Sequence, residues 1–210
     1  MAKKKVMREM DFSTEEKIKN AARVVFQKKG LAAARTRDIA EEAGVNLALL
    51  NYYFRSKEKL FEIIMYETLT NFAKGITGIF NDENTTLEEK IGLLVEKYLE
   101  MLTNDPNIPM FILSEIRNRP KDLLEKLPAK SVLSNSVAIN QFGEMAAGGE
   151  FSEKDIPHLL MNLLGLTVFP FVGKPFIMAL GGLDELEFNT LMQERKKMIP
   201  LWMKTMMSVK

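Results

Sequence analysis

Cysteine is absent from this chain, and histidine occurs once, as His158. The first absence excludes disulfides and thiolate chemistry, and the two together exclude a zinc site built from His and Cys. Carboxylate-only sites for Mg or Ca stay open. No Walker A loop, no G-x-S-x-G and no H-E-x-x-H occurs either. His158 follows Pro157 in the first turn of an expected helix and has no Ser or Cys partner motif. It reads as a surface or interface residue, and the chain reads as a non-enzyme without cofactor or metal. The most apolar region, 159–182, contains Asn162, Pro170, Lys174 and Pro175, which fits a buried or interface helix better than a membrane span. The start, MAKKKVMREMDF, is basic but no apolar run follows it, so no secretory signal is expected. With the missing cysteines, this fits a cytoplasmic protein.

What is present is a real core and an uneven charge. The 210 residues are 46% hydrophobic, enough for one large domain or two small ones. Lys and Arg nearly balance Asp and Glu overall, 29 against 28. Residues 1–60, however, hold 14 basic against 8 acidic residues, leaving 15 against 20 for residues 61–210. A basic head on an acidic body is the footprint of a polyanion-binding N-terminal module, or else a solvated surface rich in lysine.

Nearly every segment carries a helical signature. Ser13 with Glu16 forms a capping box before the stripe Ile18, Ala21, Ala22, Val25, Phe26, and Gly30 suits a left-handed stop, so a first helix is expected over about 14–29. A short helix follows over about 36–43 and stops at Gly44. Asn46 is a good N-cap for another over about 47–53, and Ser56 for a long one over about 57–80. Thr85 with Glu88 opens a helix over about 86–103, and another covers about 107–118. Pro128 opens one over about 128–146. Ser152 with Asp155 opens the next, to about 169, and Asp184 with Glu187 the last, to about 207. Phe169–Phe176, with Pro170, Gly173 and Pro175, is either a loop crossing a pocket mouth or a kinked join between core helices. No strand-period alternation and no repeat is found. The expectation is an all-α protein of about nine helices. An arm and helix-turn-helix domain spans residues 1–56, and a larger helical domain spans 57–210, with helix 57–80 connecting the two.

Two helices of about two turns each, joined by Ala43-Gly44-Val45-Asn46, form a helix-turn-helix arrangement. On a wheel of 100° per residue, Leu50 and Phe54 of the second helix fall on one side and anchor the core. Tyr52 lies opposite, flanked by Ala48 and Leu49, with Asn51 and Tyr53 at the edges. That outer face is small, polar-aromatic and uncharged, and Arg55 and Lys57 lie just beyond it. Ala48 permits close approach, Asn51 can bond an adenine edge in bidentate fashion, and the tyrosines can reach phosphate or a thymine methyl. Lys57 at a helix start favours phosphate.

AARVVFQKKGLAAARTRDIAEEAGVNLALLNYYFRSKEKLF resembles the DNA-binding region of the TetR/AcrR family of transcriptional regulators. The resemblance rests on Ala21-Ala22, Phe26, Gly30, Asp38-Ile39-Ala40, Ala43-Gly44-Val45, Tyr52-Tyr53-Phe54, Ser56-Lys57-Glu58 and Leu60. It covers about 45 residues; the rest matches only as a helical domain of the expected size. The resemblance implies a homodimer on a palindromic operator, usually a repressor. It implies a C-terminal domain that binds a small molecule and dimerises through its last two long helices, with ligand binding tilting the fourth helix. By position, the candidate DNA contacts are Arg35, Thr36, Arg37, Asn46, Leu47, Ala48, Asn51, Tyr52, Tyr53 and Lys57. Arg35, Leu47 and Asn51 depart from the residues common in the family, so base preference does not transfer. Arg35 can replace a phosphate contact by charge while Thr36 supplies the cap. Lys3, Lys4, Lys5 and Arg8 form either a DNA-binding arm or a solubilising tail.

Residues 101–178 are rich in Met and Phe, which line an adaptable apolar pocket or simply fill core. The candidate effector pocket comprises Met101, Phe111, Phe142, Met145, Asn162 and Phe169, and the expected effector is uncharged or weakly polar. The candidate dimer interface comprises Leu160, Leu164, Val168, Met198, Leu201 and Trp202, because the two long C-terminal helices carry more apolar residues than one side can bury. The leading reading is a ligand-responsive repressor, partnered by DNA, a second copy and a small molecule. The alternatives are an effector-independent DNA-organising protein, with steep salt dependence and no palindrome, and a helical small-molecule or lipid carrier.

Overall fold

The structure, a computed structural model, describes residues 2–118, 121, 136–149 and 152–208. Among these there are ten α-helices and no strand: α1 (Ala2–Ala33), α2 (Thr36–Ala43), α3 (Leu47–Phe54), α4 (Lys57–Phe80), α5 (Leu87–Asn104), α6 (Ile108–Asn118), α7 (Val137–Ala147), α8 (Ile156–Val172), α9 (Lys174–Gly181) and α10 (Glu185–Ser208). The all-α expectation holds. Two compact units divide the chain, Met1–Thr70 with Met110–Pro120, and Asn71–Pro109 with Lys121–Lys210. The division falls inside α4 rather than at its start, and the N-terminal unit takes in most of α6.

The N-terminal unit is built on the apolar stripe of α1. Ile18, Ala22 and Phe26 are fully buried with Ile39, Leu50, Leu60 and Ile64. Phe61 meets Phe26 edge-on at 5.0 Å between centroids and Phe111 of α6 at 5.4 Å. Each buried Ile, Leu or Phe side chain here contributes about 2 kcal/mol of transfer free energy. On the flank, Lys19 and Arg23 of α1 both reach Glu67 of α4, at 2.9 and 3.2 Å.

The expected start of α1 at residue 14 is not observed. The helix runs from Ala2, and Ser13 lies inside it. KKKVMREM contains only residues that tolerate a helix interior, so nothing there stops the helix. Gly30 does adopt a positive φ of 69°, but its ψ of 170° is not left-handed helical; it kinks α1, which resumes to Ala33.

In the C-terminal unit, α5 and α10 pack along each other and α8 lies against both. Their shared core includes Val95, Leu99, Phe171, Phe188, Ile199 and Met203. The capping box of α5 is Thr86 with Glu89, one residue beyond the expected pair. Asp184 and Glu187 form the expected reciprocal bonds before α10, at 2.8 and 2.9 Å. Ser152 and Asp155 open a single 3-10 turn, Glu153–Asp155, ahead of α8. The expected helix start at Pro128 lies outside the described residues; α7 begins after Ser136, whose hydroxyl accepts from the Ile139 amide.

Pro170 does not interrupt α8, which continues to Val172. A proline has no N–H, so the carbonyl four residues back loses its helical partner. That carbonyl, Leu166 O, accepts from Arg195 Nη2 of α10 at 2.7 Å. The Arg195 guanidinium also lies over the Trp202 ring, 5.4 Å from its centroid. The break falls instead at Gly173, where α8 and α9 meet at a 74° bend, so Phe169–Phe176 is a kinked join. Among the described residues no single helix is long and apolar enough to cross a membrane.

Candidate nucleic-acid interface

The helix-turn-helix is fixed by its ends. Gly44 closes α2 in the left-handed region, φ 64° and ψ 33°, which a residue with a Cβ adopts only at a cost. Its amide bonds back to Glu41 O, and Val45 N to Ala40 O. Asn46 then caps α3, its side-chain oxygen accepting from Leu49 N at 2.8 Å. With both ends set, Leu50 and Phe54 are buried and the opposite side of α3 is presented outward. Ala48 and Asn51 are exposed, Leu47, Leu49 and Tyr53 are half-buried, and Tyr52 is 78% exposed. The Tyr52 and Tyr53 rings meet edge-on at 5.4 Å, which restricts both.

The start of α2 is capped differently from the expectation. Arg35, not Thr36, is the N-cap residue, and Thr36 is the first helical residue. A guanidinium has no acceptor, so the cap is made from the other side: Asp38 accepts from Arg35 N at 3.1 Å and from Lys29 Nζ at 2.9 Å. The Lys29 ammonium, followed by the Arg35 amide, holds the Asp38 carboxyl below its usual range. Arg35 and Arg37 both remain exposed, with Thr36 half-buried between them.

Lys57 is committed inward. Its ammonium donates to Leu31 O at 2.9 Å and Ala34 O at 3.0 Å, tying the first turn of α4 to the segment that leads into α2. One proton of three is left for a ligand. Lys57 thus borders a concavity of about 510 Å³ lined also by Ala32, Ala33, Ala34, Arg35 and Thr36. Sequence reasoning placed a charge at this helix start but not the carbonyls that hold it.

A family model for bacterial regulatory proteins of the tetR family matches residues 18–64. Over 172 residues the chain is 26% identical to the probable HTH-type transcriptional regulator YttP of Bacillus subtilis (strain 168), covering 80% of this chain and 82% of that protein. It is also 26% identical over 108 residues to the fatty acid metabolism regulator protein of the same organism, covering 51% and 55%. Its fold is similar to that of the transcriptional regulator FadR from Bacillus subtilis, crystallised with stearoyl-CoA, at a TM-score of 0.57 and 20% identity over 87% of this chain and 95% of that one. Residues 18–64 thus match the tetR family, and over most of its length the chain is similar to a probable transcriptional regulator. The curated relatives that it matches are named as regulators.

The candidate effector residues are only partly brought together. Met101, Phe142 and Met145 are partly buried against the C-terminal core. Phe111 belongs to the other unit, on Phe61. Phe169 is 60% exposed, and Asn162 is exposed with its amide donating to Met206 Sδ at 3.3 Å. Composition had grouped them, but a run of Met and Phe says nothing about direction. The C-terminal unit carries an open groove of about 1040 Å³ between α5 and α10. It is bordered by Glu89, Leu93, Glu96, Glu194, Lys197 and Met198, and by none of the candidates. The candidate dimer residues lie on the outer sides of α8 and α10: Leu160, Leu164, Met198 and Leu201 are exposed, while Val168 and Trp202 are half-buried against the core.

Proposed function

We propose that this chain is a TetR-family, ligand-responsive repressor that binds a palindromic operator as a homodimer and is released by an effector with a long apolar part. The observation that carries the reading is the outer face of α3, where Ala48, Asn51 and Tyr52 stand exposed above the buried anchors Leu50 and Phe54. Asn51 and Tyr52 read base edges, and Arg35, Thr36, Arg37 and the third proton of Lys57 hold phosphate. Exposed Leu160, Leu164, Met198 and Leu201 supply an apolar face for a second copy, which gives the operator its two-fold symmetry. The effector is a molecule with a long apolar part. The fatty acid regulator among the relatives and the stearoyl-CoA held by FadR make acyl-CoA thioesters the first probes.

Selection from a random duplex pool at near-physiological salt tests this. An enriched palindrome is expected, with Tyr52→Ala weakening it about ten-fold or more while changing stability by less than about 0.5 kcal/mol, because the ring is exposed. Binding without a palindrome and with a steep salt slope would favour the DNA-organising alternative. Stabilisation in a thermal shift screen only by small, highly charged molecules would contradict the apolar effector.

A further inference from the structure

The turn between α4 and α5 is clamped by two side chains that DNA reading does not use. α4 ends at Phe80, and Asn81–Thr86 leads into α5. Lys90, on α5, is fully buried, the most deeply buried charged side chain among the described residues. Its ammonium donates to Asp82 O at 2.6 Å, Thr85 O at 2.6 Å and Thr85 Oγ1 at 2.9 Å. All three protons are taken, each by a neutral oxygen of the turn. From α7, Gln141 Nε2 donates to the same Thr85 carbonyl at 2.8 Å, while Gln141 Oε1 is buried and has no hydrogen-bond partner among the described residues.

A buried ammonium is a poor adhesive, since an aliphatic side chain would fill the space without desolvating a charge. What it supplies is direction: three short bonds fix where the turn sits relative to α5. Gln141 ties that fixed turn to α7, and does so with half of its amide unsatisfied, a bond held at a cost. α7 is also the helix that presents Ala138, Phe142 and Met145 to the apolar core of this unit. A shift of α7 therefore pulls on the Thr85 carbonyl. Beyond the turn, α4 runs unbroken from Lys57.

We infer that Lys90 and Gln141 are positioning residues for DNA binding. Lys90 holds the α4–α5 turn, and with it the end of α4, in one place, and Gln141 is the link through which movement of α7 reaches that turn. The inference rests on the operator-binding reading above. It adds the side chains through which a change in the C-terminal unit would alter operator affinity.

The test compares Lys90→Met and Gln141→Leu with Met192→Ala, a buried α10 residue outside the clamp. Operator affinity is measured on the selected duplex without effector, together with its salt slope, thermal midpoint and amide exchange over 77–80. Both clamp variants should shift operator Kd by about five-fold or more with an unchanged salt slope, and speed exchange at the end of α4. Met192→Ala should lower the thermal midpoint yet bind as the unaltered protein does. Where Lys90→Met fails to fold, Gln141→Leu alone decides. Unaltered affinity in Gln141→Leu, or an equal shift in Met192→Ala, overturns the inference. If the unaltered protein selects no operator, the operator-binding reading fails. Exchange then decides the clamp, and an unchanged rate at the end of α4 removes it.

Discussion

On α2 and α3 Ile39, Leu50 and Phe54 are turned inward, Leu47 and Leu49 are half-buried, and the ring left outside, Tyr52, carries a hydroxyl and sits beside Ala48 and Asn51. On α8, α9 and α10 the opposite is found: Leu160, Leu164, Phe176, Leu180, Leu186 and Leu201 are each more than a third exposed. Both sets of helices rest on well-buried cores, so neither exposure is a failure to pack. A surface that meets phosphates and base edges works through small, polar and phenolic groups. A surface that meets another protein copy buries apolar area and sheds charge from its centre. The proposed function assigns the two helix sets different partners, and each assignment can be tested separately.

The largest effects come from the two cores. Phe26 and Phe188 are both fully buried, and truncating either to Ala should cost about 3–5 kcal/mol. Amide exchange should show Phe26→Ala as lost protection in α1–α3, and Phe188→Ala as lost protection in α5, α8 and α10. Equal loss in both regions from either variant would show one cooperative core and dissolve the contrast.

Next comes the apolar face. Leu201 is 65% exposed, so Leu201→Asp should barely change the stability of one copy. In a symmetric dimer it brings two carboxylates into an apolar interface, and with Leu164→Asp four. Sedimentation should show the dimer dissociation constant rising by about 100-fold or more. Unchanged sedimentation would mean that something other than a second copy covers α8 and α10.

How far the sequence could be read follows the same contrast. Signals carried by one residue in a fixed local geometry were legible: Gly44 at the end of α2, Asn46 before α3, Ser56 accepting from Lys59 N, Asp184 with Glu187. Where the pattern fits two frames it misled by one step. Thr85-Thr86-Leu87-Glu88-Glu89 offers two capping boxes, and the chain uses the second while Thr85 serves Lys90 and Gln141. Signals that depend on a distant partner were not legible. Pro170 reads as a helix end because nothing nearby announces that Arg195 will take the Leu166 carbonyl. Lys57 reads as a free cation because its carbonyl partners lie more than twenty residues earlier. The candidate effector residues scattered for the same reason: pocket walls are assembled from several helices, and composition carries no register.

The smallest effect tests the end of α3. Arg55 ends α3 with φ 58° and ψ −43°, the only non-glycine residue with positive φ among the described residues. Ser56 N donates to Phe54 O across it, which makes the segment a tight three-residue turn of the strained hand. Such a conformation costs a side-chain-bearing residue about 1–3 kcal/mol, and glycine adopts it freely but loses more entropy on folding. The difference leaves Arg55→Gly more stable by about 1 kcal/mol, a rise in thermal midpoint of about 2–4 °C for a chain of this size. Arg55 stands one position beyond the Tyr52–Phe54 rings and two before Lys57, where the proposed operator contact puts phosphate. The same variant should therefore lose operator affinity, and do so by reducing the salt slope by about one unit, which marks a lost phosphate contact rather than a lost base contact. A gain in stability with full affinity and slope would separate the strain from DNA binding and make Arg55 an ordinary helix end.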